Sequence, residues 1–256
     1  EVQVQGSVLV MHPTLLRAAF AEFLGMAIFQ FLGGAAAAHS GTLADWGLVT
    51  AALGNGLALY VGIIIAADFS GGHLNPAVTT ALTVKGLITE GKADYAKWAI
   101  YVAAQLLGSI FGSVWLWLLL PRDFISHHAW VTTGMWDVSP RQVGALEFLA
   151  TAILVYTVLN VSHDDKTWES RHGPLAIGLS LAAAVFAIGP YTGASLNPAR
   201  TFGPAFVMST WSEVPVHIVS TMLGGVAAAV CFVYAFREGG AHFPPFAPRR
   251  AQAEFV

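Results

Sequence analysis

Charge is what this chain has least of. Asp, Glu, Lys and Arg make up 11% of its 256 residues, while 55% are hydrophobic and the mean hydropathy is +0.63. A soluble globular domain carries about 25% charged residues, so the composition excludes that class and indicates a polytopic membrane protein. The net charge is only −3 and the basic residues are dispersed; nucleic acid, which selects a clustered basic face, is excluded as a partner. Cysteine is nearly absent. Cys231 stands alone in the last apolar run, which rules out an intramolecular disulfide and leaves the redox compartment open. The first sixteen residues lack the basic start, short apolar core and small-residue cleavage site of a secretory signal. Because the sequence begins at Glu1, a natural chain that starts further upstream is expected. Metal-ligand spacing is missing too: His12, His39, His73, His127, His128, His163, His172, His217 and His242 follow no pattern such as HExxH, so neither metal nor cofactor is expected. No Ser-His or paired-Asp constellation falls within membrane depth, which argues against an intramembrane enzyme.

What the sequence does have is apolar length. A hydrocarbon core of about 30 Å needs about 20 apolar residues per helix, and runs of that size lie at 17–38, 47–68, 95–120, 141–162, 173–189 and 214–237. Two further apolar stretches, 76–84 and 198–208, are too short to cross, and each opens at an Asn-Pro. They read as half-helices following re-entrant loops, which a bilayer tolerates only where the irregular backbone is buried in protein or lines a wet cavity. The sequence also repeats itself. Glu22 in AEFLGMAIF matches Glu147 in LEFLATAIL 125 residues on, the two Asn-Pro-Ala sites are 122 apart, and QLLGS at 105–109 matches TMLGG at 221–225, 116 apart. Landmarks in one order at nearly one offset indicate a duplication, with repeats at about 15–120 and 141–237. Three spans per repeat is an odd number, so the second repeat lies inverted and the half-helices meet from opposite faces. The fold expected is an all-α membrane protein of six transmembrane helices plus two re-entrant half-helices, one domain over 1–240.

Orientation follows from Lys and Arg. With the N-terminus in the cytoplasm, that side holds Arg17, Lys85, Lys92, Lys97, Lys166, Arg171, Arg237, Arg249 and Arg250, and the other holds Arg122 and Arg141. This bias places both termini in the cytoplasm. The proline-rich tail at 241–256 has no apolar periodicity and is expected to be disordered. Small residues at Gly108, Gly112, Gly224 and Gly225, and more weakly Gly178 with Ala182, suit close helix crossings.

The paired tripeptides Asn75-Pro76-Ala77 and Asn197-Pro198-Ala199 carry the chemistry. Proline suits the first helical position and asparagine the N-cap, so each Asn oxygen is expected to accept from its own half-helix and leave the NH2 group free to donate outward. Both positive helix ends, each worth about half an elementary charge, then aim at one midplane point. Such a point favours a lone-pair donor such as water and repels cations. Arg200 follows the second tripeptide, whereas Val78 holds the matching place in the first. An intramembrane arginine marks a functional site by default; the competing reading is a salt bridge that pins helices.

The two Asn-Pro-Ala copies, the paired Glu22 and Glu147 and the Arg200 position together resemble the major intrinsic protein (aquaporin) family over about residues 15–237. The stretches FSGGHLNPAVT and GPYTGASLNPARTFGPA look most like its tonoplast members. The resemblance implies a passive water channel and a homotetramer in the lipid bilayer, of the tonoplast or the plasma membrane. It implies a selectivity filter at Asn55, Val185, Ala194 and Arg200. It also implies that Glu22 and Glu147 are structural acids bonded to the irregular loops, in preference to a proton relay. Strict water channels of the family usually place a bulky aromatic at the first filter position and His at the second, and tonoplast members His at the first. Asn55 and Val185 are smaller, so small neutral solutes are expected as additional permeants. A channel mainly for ammonia, urea, glycerol or hydrogen peroxide is the alternative, and a secondary transporter a weaker one. Thr201 and Ala205 stand where glycerol channels usually carry Asp and a basic residue. His217-Ile218 replaces two common aromatics, a change the sequence does not explain. His127 and His128 fall in the loop that in relatives folds near the outer mouth; they line a vestibule or, by preference, are solvated. His163 and His172, near Asp164 and Asp165, would bias a gate on protonation, the weaker reading of that loop.

Overall fold

The computed structural model describes residues 2–5, 8–11, 13–43, 47–126, 138–163 and 172–236. His127, His128, Asp164, Asp165 and the tail at 241–256 lie outside the described residues. In chain order the elements are β1 (Val2–Gln5), β2 (Val8–Met11), α1 (Pro13–Ser40), α2 (Gly47–Ser70), α3 (Pro76–Glu90), α4 (Tyr95–Leu119), α5 (Arg122–Ser126), α6 (Pro140–His163), α7 (His172–Thr192), α8 (Pro198–Met208) and α9 (Val214–Phe236). Six of the helices, α1, α2, α4, α6, α7 and α9, are long and apolar enough to cross a membrane. They fall on the six expected runs: four are extended by one to four residues at one or both ends, where helical hydrogen bonding continues past the apolar stretch, α4 stops one residue short, and the described part of α9 ends one residue short.

Three details differ from the sequence expectation. The first half-helix runs to Glu90 and not to 84; it stops at Gly91, whose φ of 67° gives the left-handed cap that glycine adopts without strain. Lys85, where the apolar run ends, does not end the helix, since lysine is itself a good helix former; its ammonium lies 5.3 Å from the Phe232 ring centre. A short helix, α5, follows α4. Strands β1 and β2 form an antiparallel hairpin with Val2 opposite Met11 and Gln5 opposite Val8. Its signal was present as valine alternation on either side of the Gly6-Ser7 pair.

Packing reproduces the repeat. α1 packs on α2 and α4 as α6 packs on α7 and α9, and each repeat's third span embraces the other repeat's half-helix, α4 against α8 and α9 against α3. Glycine sets two of these distances. At Gly108 an added Cβ would collide with the Phe23 carbonyl of α1, and at Gly224 it would come within 2.5 Å of the Phe148 carbonyl of α6. Gly178 and Gly56 bring α7 and α2 together in the same way, each backbone carbonyl seated on the other glycine. The outer surface carries Phe111, Ile153, Val219 and Leu223, whereas Glu22, Gln105, Glu147 and Arg200 are buried. Apolar outside with polar groups gathered inside is the arrangement lipid demands. Ser139 and Gln142 begin α6 as a reciprocal cap, Ser139 N–H to Gln142 Oε1 at 2.9 Å and Gln142 N–H to Ser139 Oγ at 3.4 Å.

Candidate functional site

The half-helices α3 and α8 begin where they meet. Asn75 and Asn197 take extended backbone angles, and their side-chain oxygens accept from Ala77 N–H at 2.8 Å and from Ala199 N–H at 2.9 Å, with Pro76 and Pro198 in the first turn. The capping expectation therefore holds geometrically. The NH2 groups are not free, however. Asn75 Nδ2 donates to the Leu196 carbonyl and Asn197 Nδ2 to the Leu74 carbonyl, both at 2.8 Å. A buried carbonyl in a re-entrant loop must find a donor, and the nearest one is the other repeat's amide. One hydrogen of the Asn75 NH2 remains for whatever occupies the centre, while the second hydrogen of Asn197 has only the Met26 Sδ at 3.9 Å, a weak acceptor that a polar guest can replace.

The loops that lead into these caps hold unusual conformations. Leu74, Ala194 and Leu196 have φ values of 50°, 47° and 53°, a left-handed region that L-residues other than Asn and Asp seldom enter. Each such residue costs about 1–2 kcal/mol, so the surroundings must hold it. Two buried carboxylates do so. Glu22 accepts from His73 N–H at 2.9 Å, Leu74 N–H at 2.7 Å, Ser70 Oγ at 2.5 Å and Gln105 Nε2 at 2.7 Å. Glu147 accepts from Ser195 N–H at 2.8 Å, Leu196 N–H at 2.9 Å and Thr192 Oγ1 at 2.7 Å. Further donors close the loop carbonyls: Tyr101 Oη to Ser70 at 3.0 Å, and His217 Nε2 to Thr192 at 3.1 Å. Tyr101, Ser70, Thr192 and Gln105 were not singled out from sequence. Extending the repeat alignment by the same offsets would have paired Ser70 with Thr192 and Tyr101 with His217.

Beside this crossing the structure gathers three of the four residues assigned to the filter. Arg200, only 5% exposed, donates through Nε to Asn55 Oδ1 at 3.2 Å and through Nη1 to the carbonyls of Gly193 at 3.3 Å and Ala194 at 3.1 Å. Among the described residues its hydrogen-bond partners are neutral oxygens, in place of the carboxylate that the competing salt-bridge reading required. Asn55 is itself fixed by donating to the Ala51 carbonyl at 2.8 Å, and Gly33 makes room for it, since a Cβ there would lie 2.8 Å from Asn55 Oδ1. Asn55 thus holds the guanidinium, a contact its small size did not suggest. Val185 is buried in the apolar cluster that also contains Ala194. On the other side of the two asparagines opens a cavity of about 320 Å³. Its walls are largely apolar, with Leu59, Ile63, Leu154, Val158 and Leu181, and its polar lining residues are Asn75, Asn197, His73, Lys97, Ser70, Ser162 and Ser195. A small polar guest there meets donors at the centre and apolar walls elsewhere.

Comparison with known proteins agrees with this geometry. The family profile described as Major intrinsic protein matches residues 10–234. The chain is 38% identical over 239 residues to the probable aquaporin TIP3-2 of Arabidopsis thaliana, covering 87% of this chain and 85% of that protein. It is 38% identical over 234 residues to aquaporin TIP1-1 of Zea mays, covering 89% and 90%. Among solved structures, the aquaglyceroporin of Plasmodium falciparum superposes with a TM-score of 0.70 at 30% identity, over 85% of this chain and 95% of that one.

Proposed function

The chain belongs to the major intrinsic protein family, and from that premise we propose that it is a passive transmembrane channel for water that also passes small neutral solutes, and not an enzyme. The observation that carries the reading is the pair of crossed asparagines, each finishing the other's loop, with Arg200 bonded beside them. A water molecule at the crossing accepts from the remaining hydrogen of Asn75 or Asn197 and is oriented by it. Water in single file then cannot keep an unbroken line of donors, and the two positive helix ends oppose a cation there. Arg200 has spent Nε and Nη1 on the protein, which leaves Nη2 as the group to donate to a permeant, and its charge repels cations. Asn55, Val185 and Ala194 set the width beside it. With Asn55 drawn onto Arg200 and Val185 presenting no donor, the constriction suits molecules such as ammonia, urea or hydrogen peroxide in addition to water.

Glu22 and Glu147 serve in this reading as loop supports. Both termini face the cytoplasm, the membrane is the tonoplast, as for the similar plant proteins, and the channels assemble as a homotetramer with one pore per subunit. Stopped-flow swelling of proteoliposomes in water, urea, glycerol and ammonia gradients tests the proposal. Fast, non-saturating water flow with measurable urea or ammonia flow supports it. Saturable uptake coupled to an ion gradient, or vesicles no leakier than protein-free ones, would refute it.

A further inference from the structure

His217 is fully buried in α9, and its surroundings give it work that the aromatic usual at this place cannot do in the same way. Its Nε2 lies 3.1 Å from the Thr192 carbonyl and 3.8 Å from Glu147 Oε1, and its Nδ1 lies 3.0 Å from the Glu213 carbonyl one turn back. Both ring nitrogens face carbonyls, which only accept; the Glu213 carbonyl already takes the His217 backbone N–H at 3.2 Å, whereas the Thr192 carbonyl has the imidazole as its side-chain donor, so the tautomer with the proton on Nε2 is the one that matters to the loop. By the offset of 116 that relates the third spans, His217 matches Tyr101, whose hydroxyl makes the equivalent bond to the Ser70 carbonyl. The two residues close equivalent loops, but the loops bear different loads. The backbone of Ser70 leads to Gly71 and Gly72, and among the described residues no guanidinium is bonded to those carbonyls, Val78 standing where the second half-helix has the arginine. Thr192 is tied to Ala194, whose N–H donates to Thr192 Oγ1 at 3.0 Å, and the Gly193 and Ala194 carbonyls hold Arg200 Nη1.

We infer that His217 is a positioning residue for selectivity: by fixing the Thr192 carbonyl against Glu147 it sets the height of the two carbonyls on which Arg200 sits. The inference rests on the filter reading above and deepens it. Without the imidazole donor a buried carbonyl is orphaned, the 192–194 segment relaxes, and the guanidinium moves with it.

The test compares the urea-to-water permeability ratio of proteoliposomes carrying the wild type, His217→Phe, His217→Tyr, Tyr101→Phe and Arg200→Val, with thermal unfolding measured in parallel. His217→Phe should raise the ratio by about five- to tenfold, the kinetic size of one ordinary hydrogen bond. His217→Tyr, which copies the donor of the first repeat, should restore it. Tyr101→Phe should lower the unfolding temperature without moving the ratio. A folded His217→Phe channel with wild-type ratio, or a ratio raised equally by Tyr101→Phe, would overturn the inference. If the Phe variant does not fold, His217→Gln retains an N–H donor at similar reach and should keep the wild-type ratio; a ratio as high as that of Arg200→Val would also overturn it. An unchanged ratio in Arg200→Val would instead remove the filter reading itself, so the two failures are told apart.

Discussion

The two re-entrant halves agree in most of what holds a loop up and differ in what the loop presents. Both have an Asn cap, a Pro at the first turn, a buried glutamate under two loop N–H groups, and a hydroxyl on that glutamate, Ser70 in one and Thr192 in the other. They part at one helical position: Val78 in α3 and Arg200 in α8. Duplication therefore supplied the scaffold, and in the function proposed above the asymmetric residue is the one assigned to discrimination. The same contrast recurs one layer out, where Tyr101 faces His217 across the pseudo-two-fold.

The largest effect should come from erasing that difference. Arg200→Val makes the second half resemble the first and removes three charge-assisted bonds, each worth about 1.5–3 kcal/mol. Urea, glycerol and cation permeability should rise by about ten- to a hundredfold, read by swelling and by vesicle conductance; unchanged solute and proton exclusion would contradict the comparison. Next come the features that the halves share. Glu22→Gln and Glu147→Gln should each destabilise the protein by about 3 kcal/mol, because an amide offers a donor where loop N–H groups need an acceptor. Thermal unfolding in detergent checks this, and a markedly larger loss on one side would show that the supports are not equivalent. A smaller change is expected from Asn55→Ala. It frees Arg200 Nε at a cost of about 1–2 kcal/mol and should shift the urea-to-water ratio several-fold while water flow persists. The smallest is Cys231→Ser. Cys231 is exposed on α9 and aligns with no filter residue, so mercurials should inhibit weakly and the substitution should leave flow unchanged; complete block relieved by this change would refute that placement.

Much of this was legible in the sequence because membrane spans and their duplication are written in composition and offset. The six runs, the inverted halves and the caps follow from apolar length, an odd span count and the Asn-Pro pairs. The end of α3 was misplaced because apolarity stops at Lys85, whereas the helix continues to the glycine that can take a left-handed turn. The asparagine amides were expected to point wholly outward, since a sequence does not reveal which carbonyl lies across the midplane. For the same reason Asn55 could be assigned to the wall but not to Arg200, 145 residues away. Side chains that meet only through the fold leave no local pattern to read.

The crossed amides also impose an order on assembly. The Leu74 carbonyl is satisfied by an asparagine 123 residues later in the chain, and Asn75 by a carbonyl 121 residues later. At synthesis rates of about 5–20 residues per second, the first loop waits on the order of ten seconds before its partner emerges. Until then the bond that satisfies the Leu74 carbonyl is missing, so the first loop cannot take its finished form before the second repeat is made. The central constriction is then among the last features to form, and a chain truncated before Asn197 leaves no finished pore behind.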